Sequence, residues 1–328
     1  MNKSYNSKQL HRFIVVLLIS LLSGCSINEK AKNNYWQRAP QLGMLMPLAL
    51  WCSPFGNIYL SNTGGVYVST DNGKTWVNRT EGLQYTMYIY SFTGYLNGNV
   101  FAGGRGITRT SNEGVIWEKC YGGSDWGDVV SLFIDRQNNF WAGSEDAGLL
   151  GAGGLYKSSD SGQTFSSYMN GIVDSIGAVR AIACDSKGTI FIATDAGMYR
   201  SSNYGTVWVK VNSITEKRIN SISIINNDYI FTGGSFLYRS IDGGITWDKL
   251  NCGSDRGIVY IAATFRGDVF VGTGGGVYYS NNFGSTWEEL NSGLPTNPHI
   301  TCMMIDSSKH IYVGVLNDYL YKSITPLR

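Results

Sequence analysis

The side chains in this 328-residue chain that could do acid–base chemistry include carboxylates set in a recurring phrase. Asp71 stands in "STDNGKTW", Asp160 in "SSDSGQTF" and Asp242 in "SIDGGITW". Three further copies, "TSNEGVIW", "SSNYGTVW" and "SNNFGSTW", place Asn112, Asn203 and Asn282 at the same point. A short carboxylate or amide accepts hydrogen bonds from turn amides, so the shared duty is that of a turn clasp. The acidic members are therefore poor candidates for catalysis. A second chemistry would need an acid and a base flanking a glycosidic bond, and Asp128 with Glu145 is a pair that could supply them. Metal chemistry has little to work with: His11, His299 and His310 are the three histidines, and no cysteine sits in a CxxC. The expectation is no metal, no cofactor and no assigned catalytic residue.

The phrases begin at 69, 110, 158, 201, 240 and 280, a period near forty residues. Such a period marks a propeller or a solenoid, because one small unit cannot bury its own faces without neighbours. The local pattern decides between them. Residues 178–185 "AVRAIACD", 189–194 "TIFIAT", 197–202 "GMYRSS" and 206–211 "TVWVKV" are short runs rich in β-branched and aromatic residues, bounded by turn formers. Four strands per repeat make a propeller blade. The phrase falls on the hairpin between third and fourth strands, where Gly73, Gly114, Gly162, Gly205, Gly244 and Gly284 supply a conformation other residues reach at a cost. Trp76, Trp117, Phe165, Trp208, Trp247 and Trp287 then fill the gaps between blades.

A seventh blade begins at the C-terminus, where Tyr321 and Ser323 repeat the Tyr-x-Ser of earlier third strands, as at Tyr278 and Ser280. It lacks its own tryptophan strand. "YWQRAPQLG" at 35–43 matches "TWVNRTEGL" at 75–83, so Trp36 is expected to complete it from the other end of the chain. The predicted fold is all-β, a seven-bladed propeller with six blades as the alternative, closed by pairing the N-terminal strand with the last blade. Closure removes two exposed sheet edges.

Charge excludes some partners. With 26 basic and 24 acidic residues and a net charge of +2, nothing favours nucleic acid or another bulk polyanion. The N-terminus is a separate object: Lys3, Lys8 and Arg12 precede the apolar run 13–22, which suits a signal peptide. It ends in "LSGC", which resembles the lipobox of bacterial lipoproteins. That resemblance implies cleavage after residue 24, an acylated Cys25, a tether over 25–34 and a propeller over 35–328 held in the cell envelope. Ser26 is compatible with passage to an outer membrane. Cys52, Cys120, Cys184, Cys252 and Cys302 remain, an odd number read as small buried apolar residues.

The repeat at 269–290, "VFVGTGGGVYYSNNFGSTWEEL", resembles the Asp-box unit of sialidases, xyloglucan hydrolases, sortilin-like receptors and the photosystem II assembly factor. The resemblance covers residues 35–328 and is specific for the fold, not for one activity. No Phe-Arg-Ile-Pro motif or arginine triad of a sialidase is present, and the xyloglucan hydrolases use two propellers where this chain has one. In such propellers the face opposite the boxes is where binding is expected. Aligning first strands puts Tyr90, Val130, Arg180, Asn220, Tyr260 and Thr301 at the channel mouth, with Tyr85, Tyr88, Trp126, Asp128, Arg218, Asp255, Arg256 and His299 on the preceding loops. Arg105, Glu145, Asp146, Asp195 and Asp318 fall on the loops between second and third strands. The best binding candidates are Tyr90, Arg180, Arg218, Arg256, Tyr260 and Trp126. The expected activity is non-catalytic binding of a protein or glycan; the alternative is a glycoside hydrolase or carbohydrate-binding accessory protein.

Overall fold

A computed structural model describes residues 34–40, 42–43, 46–83, 88–120, 127–145, 153–172, 175–225 and 229–327. The expected signal peptide, Cys25 and the tether up to residue 33 lie outside them, as do Tyr85, Trp126 and Asp146. The described residues form seven antiparallel four-stranded sheets. Blades 1 to 6 span 47–78, 91–119, 129–167, 179–210, 221–250 and 258–289. Blade 7 combines 300–323 with the strand Trp36–Arg38, which pairs antiparallel with Leu320–Ser323 in the register Trp36 to Ser323. The seven-bladed expectation and the closure both hold.

Each second strand is buried along its length: Ile58–Asn62, Phe140–Ser144, Ile190–Thr194 and Val269–Thr273 show no exposed residue. Neighbouring blades cover both of its faces, so the sequence runs apolar without alternation. One position near its end is always small: Ser61, Gly103, Gly143, Ala193, Gly233, Gly272 and Gly314. A Cβ on Gly143 would lie 2.5 Å from the Val179 carbonyl of the next blade, and one on Gly314 would lie 2.6 Å from Cβ of Pro47. The blades converge there with room for nothing larger than the side chains of Ser61 and Ala193.

At the outer edge the wedge opens and is filled in two ways. Indole N–H groups of Trp117, Trp208 and Trp36 donate back to Arg79 O, Tyr168 O and Leu290 O of the preceding blade, at 2.7, 2.9 and 2.6 Å. The Trp36 bond thus reproduces, between the two ends of the chain, the contact made within it. Elsewhere a third-strand cation reaches forward. Arg200 donates to Gly244 O, Arg239 to Phe283 O and Lys322 to Asn72 O. Trp247 and Trp287 turn instead to their own box glycines, and the buried Trp76 N–H finds no partner among the described residues. The box aromatics were expected to fill the gaps between blades, and the bonds that close those gaps differ: the junctions at blades 5, 6 and 1 use a cation. Between blades 2 and 3 the stacked edges of Phe101, Phe140 and Phe165 serve, with Tyr95 donating to Asn138 O.

The boxes are clasps. Asp71 Oδ1 accepts from Ser69 Oγ and from the Lys74 and Thr75 amides, while Oδ2 accepts from Thr75 Oγ1 at 2.6 Å. Asp160 and Asp242 repeat the set with Thr164 and Thr246. Asn112 and Asn203 accept through one oxygen only and have Ile116 and Val207 where the threonine would stand. The turn also places the residue before its glycine at positive φ: Asn72, Glu113, Ser161, Tyr204 and Phe283 all lie between 56 and 60°. Sequence reading assigned that strain to glycine alone. Cys52, Cys120, Cys184, Cys252 and Cys302 are each unpaired, and Cys120, Cys252 and Cys302 are buried. Burial pushes the Cys302 thiol up to about 12.

Two outcomes follow. Trp36→Ala is expected to cost roughly 3–5 kcal/mol, as for large-to-small changes in a core, and to lower the denaturant midpoint of the whole propeller; an unchanged midpoint would refute closure by this strand. The Thr75 and Thr164 hydroxyls and amides hold the Asp71 and Asp160 carboxyls down to about 2 against an ordinary 3.8; at Asp242 burial opposes this and Thr246 prevails to the same value. A lowered folded-state pKa contributes stability that is present above the unfolded value and lost as pH falls through the folded one. Stability should therefore fall between pH 4 and 2 in urea titrations, and less steeply in Asp71→Asn.

Candidate functional site

The hairpins joining first to second strands share a face with the boxes: Phe283 N donates to Gly267 O at 3.0 Å, and the Tyr204 ring lies against Gly188. The remaining loops ring the opposite mouth of a channel of about 660 Å³ lined by the seven inner strands. Those strands bulge after their first residue, at Leu48, Val130, Arg180, Val259 and Thr301. The bulge directs one residue per blade to the mouth. In blades 2 and 5 Tyr90 and Asn220 take that place, bonded to Gly103 O and Gly233 O.

Val259, not Tyr260, is thus the blade 6 counterpart of Arg180. The signal lay in the preceding residue: Ile89, Val129, Val179, Ile219, Ile258 and Ile300 are all buried, and counting from them gives the correct register. Tyr260 falls one step further along, where other blades carry Ser91, Ser131, Ala181, Ser221 and Cys302. It still lines the channel, and burial there pushes its phenol up to about 12. Tyr90 and Arg180 line the channel as well. Arg218 and Arg256 stand on exposed rim loops, and Arg256 Nη1 donates to Gly274 O at 2.8 Å.

The mouth is built unevenly. Tyr88 and Tyr90 of blade 2 stack at 6.1 Å with 14° between planes. Burial, followed by the neighbouring charges of Asp128 and Glu145, pushes the Tyr90 phenol up to about 12. Glu145 N donates to Asp128 O, which ties the two acidic residues of blade 3 together through the main chain. Arg180 bonds Asp195 in a two-pronged pair at 2.6 and 3.0 Å and stands 3.9 Å from Glu145. Arg218 approaches Asp195 at 3.8 Å and donates to Asn220 Oδ1, and Asn220 Nδ2 donates to Ile258 O. A polar belt therefore runs from Glu145 of blade 3 to blade 6, with the stacked tyrosines of blade 2 beside its start. Blades 7 and 1 offer Thr301, Cys302, Leu48 and Ala49 at the corresponding inner positions.

Burial works against the Asp195 carboxylate, and the Arg180 guanidinium with the Ala178 amide overcomes it, holding the group below its usual range. Arginines beside carboxylates favour the charged form. A general acid at neutral pH needs the reverse, an apolar surrounding that keeps it protonated. The arrangement suits recognition: a flat aromatic platform for an apolar face, with acceptors and an arginine edge beside it. Among the described residues no cluster of three or more His, Cys, Asp or Glu side chains could hold a metal ion.

Comparison with known proteins agrees with this architecture. The BNR/Asp-box repeat model matches residues 67–77 and 238–249, the first and fifth boxes. The chain is 28% identical over 254 residues to a xyloglucanase of Hypocrea jecorina, an alignment that takes in 68% of this chain and 28% of that protein's length. Among solved structures, YCF48 bound to a D1 peptide superposes with a TM-score of 0.69 at 16% identity, covering 89% of this chain and 97% of the other. The GH74 xyloglucanase from Xanthomonas campestris superposes at 0.66 and 16% identity, over 88% of this chain and 53% of the other. At such identities the superpositions speak for fold alone. Matched boxes, clasps of one chemistry in six blades and a closed ring of seven sheets make this chain a BNR/Asp-box repeat β-propeller.

Proposed function

We propose that the protein is a non-catalytic binding or assembly propeller that presents its channel mouth to a partner in the cell envelope, held there by an acylated Cys25. The mouth from Tyr88 to Asn220 carries this reading. It is asymmetric, as recognition of an asymmetric partner requires, and Asp195 is held by Arg180 and Arg218, with Glu145 at 3.9 Å from the same Arg180. A protein segment is the favoured occupant, since an aromatic platform flanked by charged hydrogen-bonding groups of both signs suits a peptide with mixed side chains. YCF48, a propeller of the same fold, is itself seen with a peptide. The basic start, apolar run and "LSGC" support the envelope location.

A second reading, glycan binding or hydrolysis, draws on the likeness to a xyloglucanase, although the aligned part spans about a quarter of that protein. The Tyr88 and Tyr90 rings would then stack on a sugar, with Asp128 and Glu145 nearby.

Pull-down from envelope extracts, run beside a glycan array and a panel of aryl glycosides, separates the two. The expected result is a protein partner and no glycosidase turnover; turnover abolished by Glu145→Gln would establish the second reading. Once a ligand is in hand, Tyr90→Ala should weaken it by about 1 kcal/mol or more with little change in melting temperature. Arg180→Ala should behave differently. It leaves Asp195 half-buried with a weaker partner, so a loss of roughly 1–3 kcal/mol in stability is expected, read as a lower melting temperature before any ligand is added.

A further inference from the structure

We infer that the box face is a membrane-contacting surface: the tips of the first-to-second hairpins in blades 6, 1 and 2 rest on the lipid headgroups while the mouth points away. The inference rests on the proposed acylation of Cys25 and adds to it an orientation and a contact surface.

The path of the chain carries the argument. Trp36 pairs with Ser323, the residue at which third strands run into their box hairpins, just as Ser69 does in blade 1. Ile324 N donates to Tyr35 O on the same side. The chain therefore enters blade 7 from the box face. Ten residues separate Cys25 from Tyr35, and fully extended they reach about 35 Å. A lipid on Cys25 thus holds blade 7 within that distance of the bilayer, by its box end.

The loops flanking this entry point differ from those of blades 3 and 4. Phe265 in blade 6, Phe55 in blade 1 and Leu96 in blade 2 are 75, 63 and 80% exposed at hairpin tips, where blades 3 and 4 carry Arg136, Gln137, Ser186 and Lys187. The blade 7 and blade 1 tips adjoin: Ser307 Oγ would lie 3.3 Å from a Cβ on Gly56. The apolar tips of blades 6, 1 and 2 therefore lie to either side of blade 7, where the tether arrives and whose own tip carries Ser307, Ser308 and Lys309. Basic residues accompany two of these tips: Arg266 beside Phe265 and Lys309 in blade 7 are exposed, while Asp268 and Asp306 accept bonds from Tyr279 and from the His310 amide within their own blades, and the Asp71 carboxylate of the neighbouring box is taken up by Ser69 and Thr75. Anchoring by acyl chains is strengthened when a second apolar or basic contact acts with it.

The test uses the full-length protein in native membranes. A photoreactive benzoylphenylalanine is placed at position 55, 96 or 265, and at Tyr88 on the mouth as the reference, and acylation of Cys25 is read separately by labelled-palmitate incorporation with Cys25→Ser as control. Lipid adducts at 55, 96 and 265, at least tenfold above those at 88, support the inference. An acylated protein whose lipid adducts at 88 equal or exceed those at the three tips overturns the orientation and leaves the anchor standing. Adducts to protein instead of lipid at 55, 96 and 265 overturn the lipid contact in favour of a docking surface. Absence of label on the wild-type protein overturns the anchor reading, and the orientation with it.

Discussion

Everything in this molecule depends on how closely two sheets can approach at one row of residues. Where Gly103, Gly143, Gly233, Gly272 and Gly314 meet the next blade, a side chain would overlap main chain or Cβ atoms. Small residues there let the inner strands pack around a channel narrow enough to be lined by their own side chains. A ring pinched at its inner edge must gape at its outer edge. The outer filling by indole, guanidinium or ammonium is a consequence of the inner contact, and the sequence is free to choose among them because each reaches a carbonyl of the adjoining blade.

That freedom explains what could be read in advance. The boxes were legible because a turn with two successive residues at positive φ needs glycine and a short acceptor in a fixed order. The strands were legible from β-branched runs, and the closure from Trp36 matching the internal tryptophans. The cationic bonds between blades were not. Arg200, Arg239 and Lys322 occupy the middle of an ordinary Tyr-x-Ser, and no spacing announces that a long cation will cross to the next box.

The mouth was legible as a surface and blurred in its register. A bulge adds one residue to the inner strand, so matching hydrophobic patterns by eye shifted Tyr260 into the place of Val259. Arg180 lies at the mouth as expected, but its pairing with Asp195 joins an inner strand to a turn fifteen residues on, and side-chain direction at a strand end is not encoded in periodicity. Arg180, a binding candidate, also fixes Asp195 and, through it, Arg218.

The strand that completes blade 7 is the first of the propeller to be synthesised, and its partner is the last. Trp36 reaches Leu290 across 254 positions of sequence. Until the C-terminal residues are available, six blades stand as an arc with an apolar sheet face uncovered at each end and a Trp36 strand with nothing to bind. Such an intermediate is the state most open to a second chain, because the free Trp36 strand can pair with the last blade of another copy before its own is made. The repeat that makes each blade simple to specify therefore also makes neighbouring copies of the nascent chain its nearest competitors.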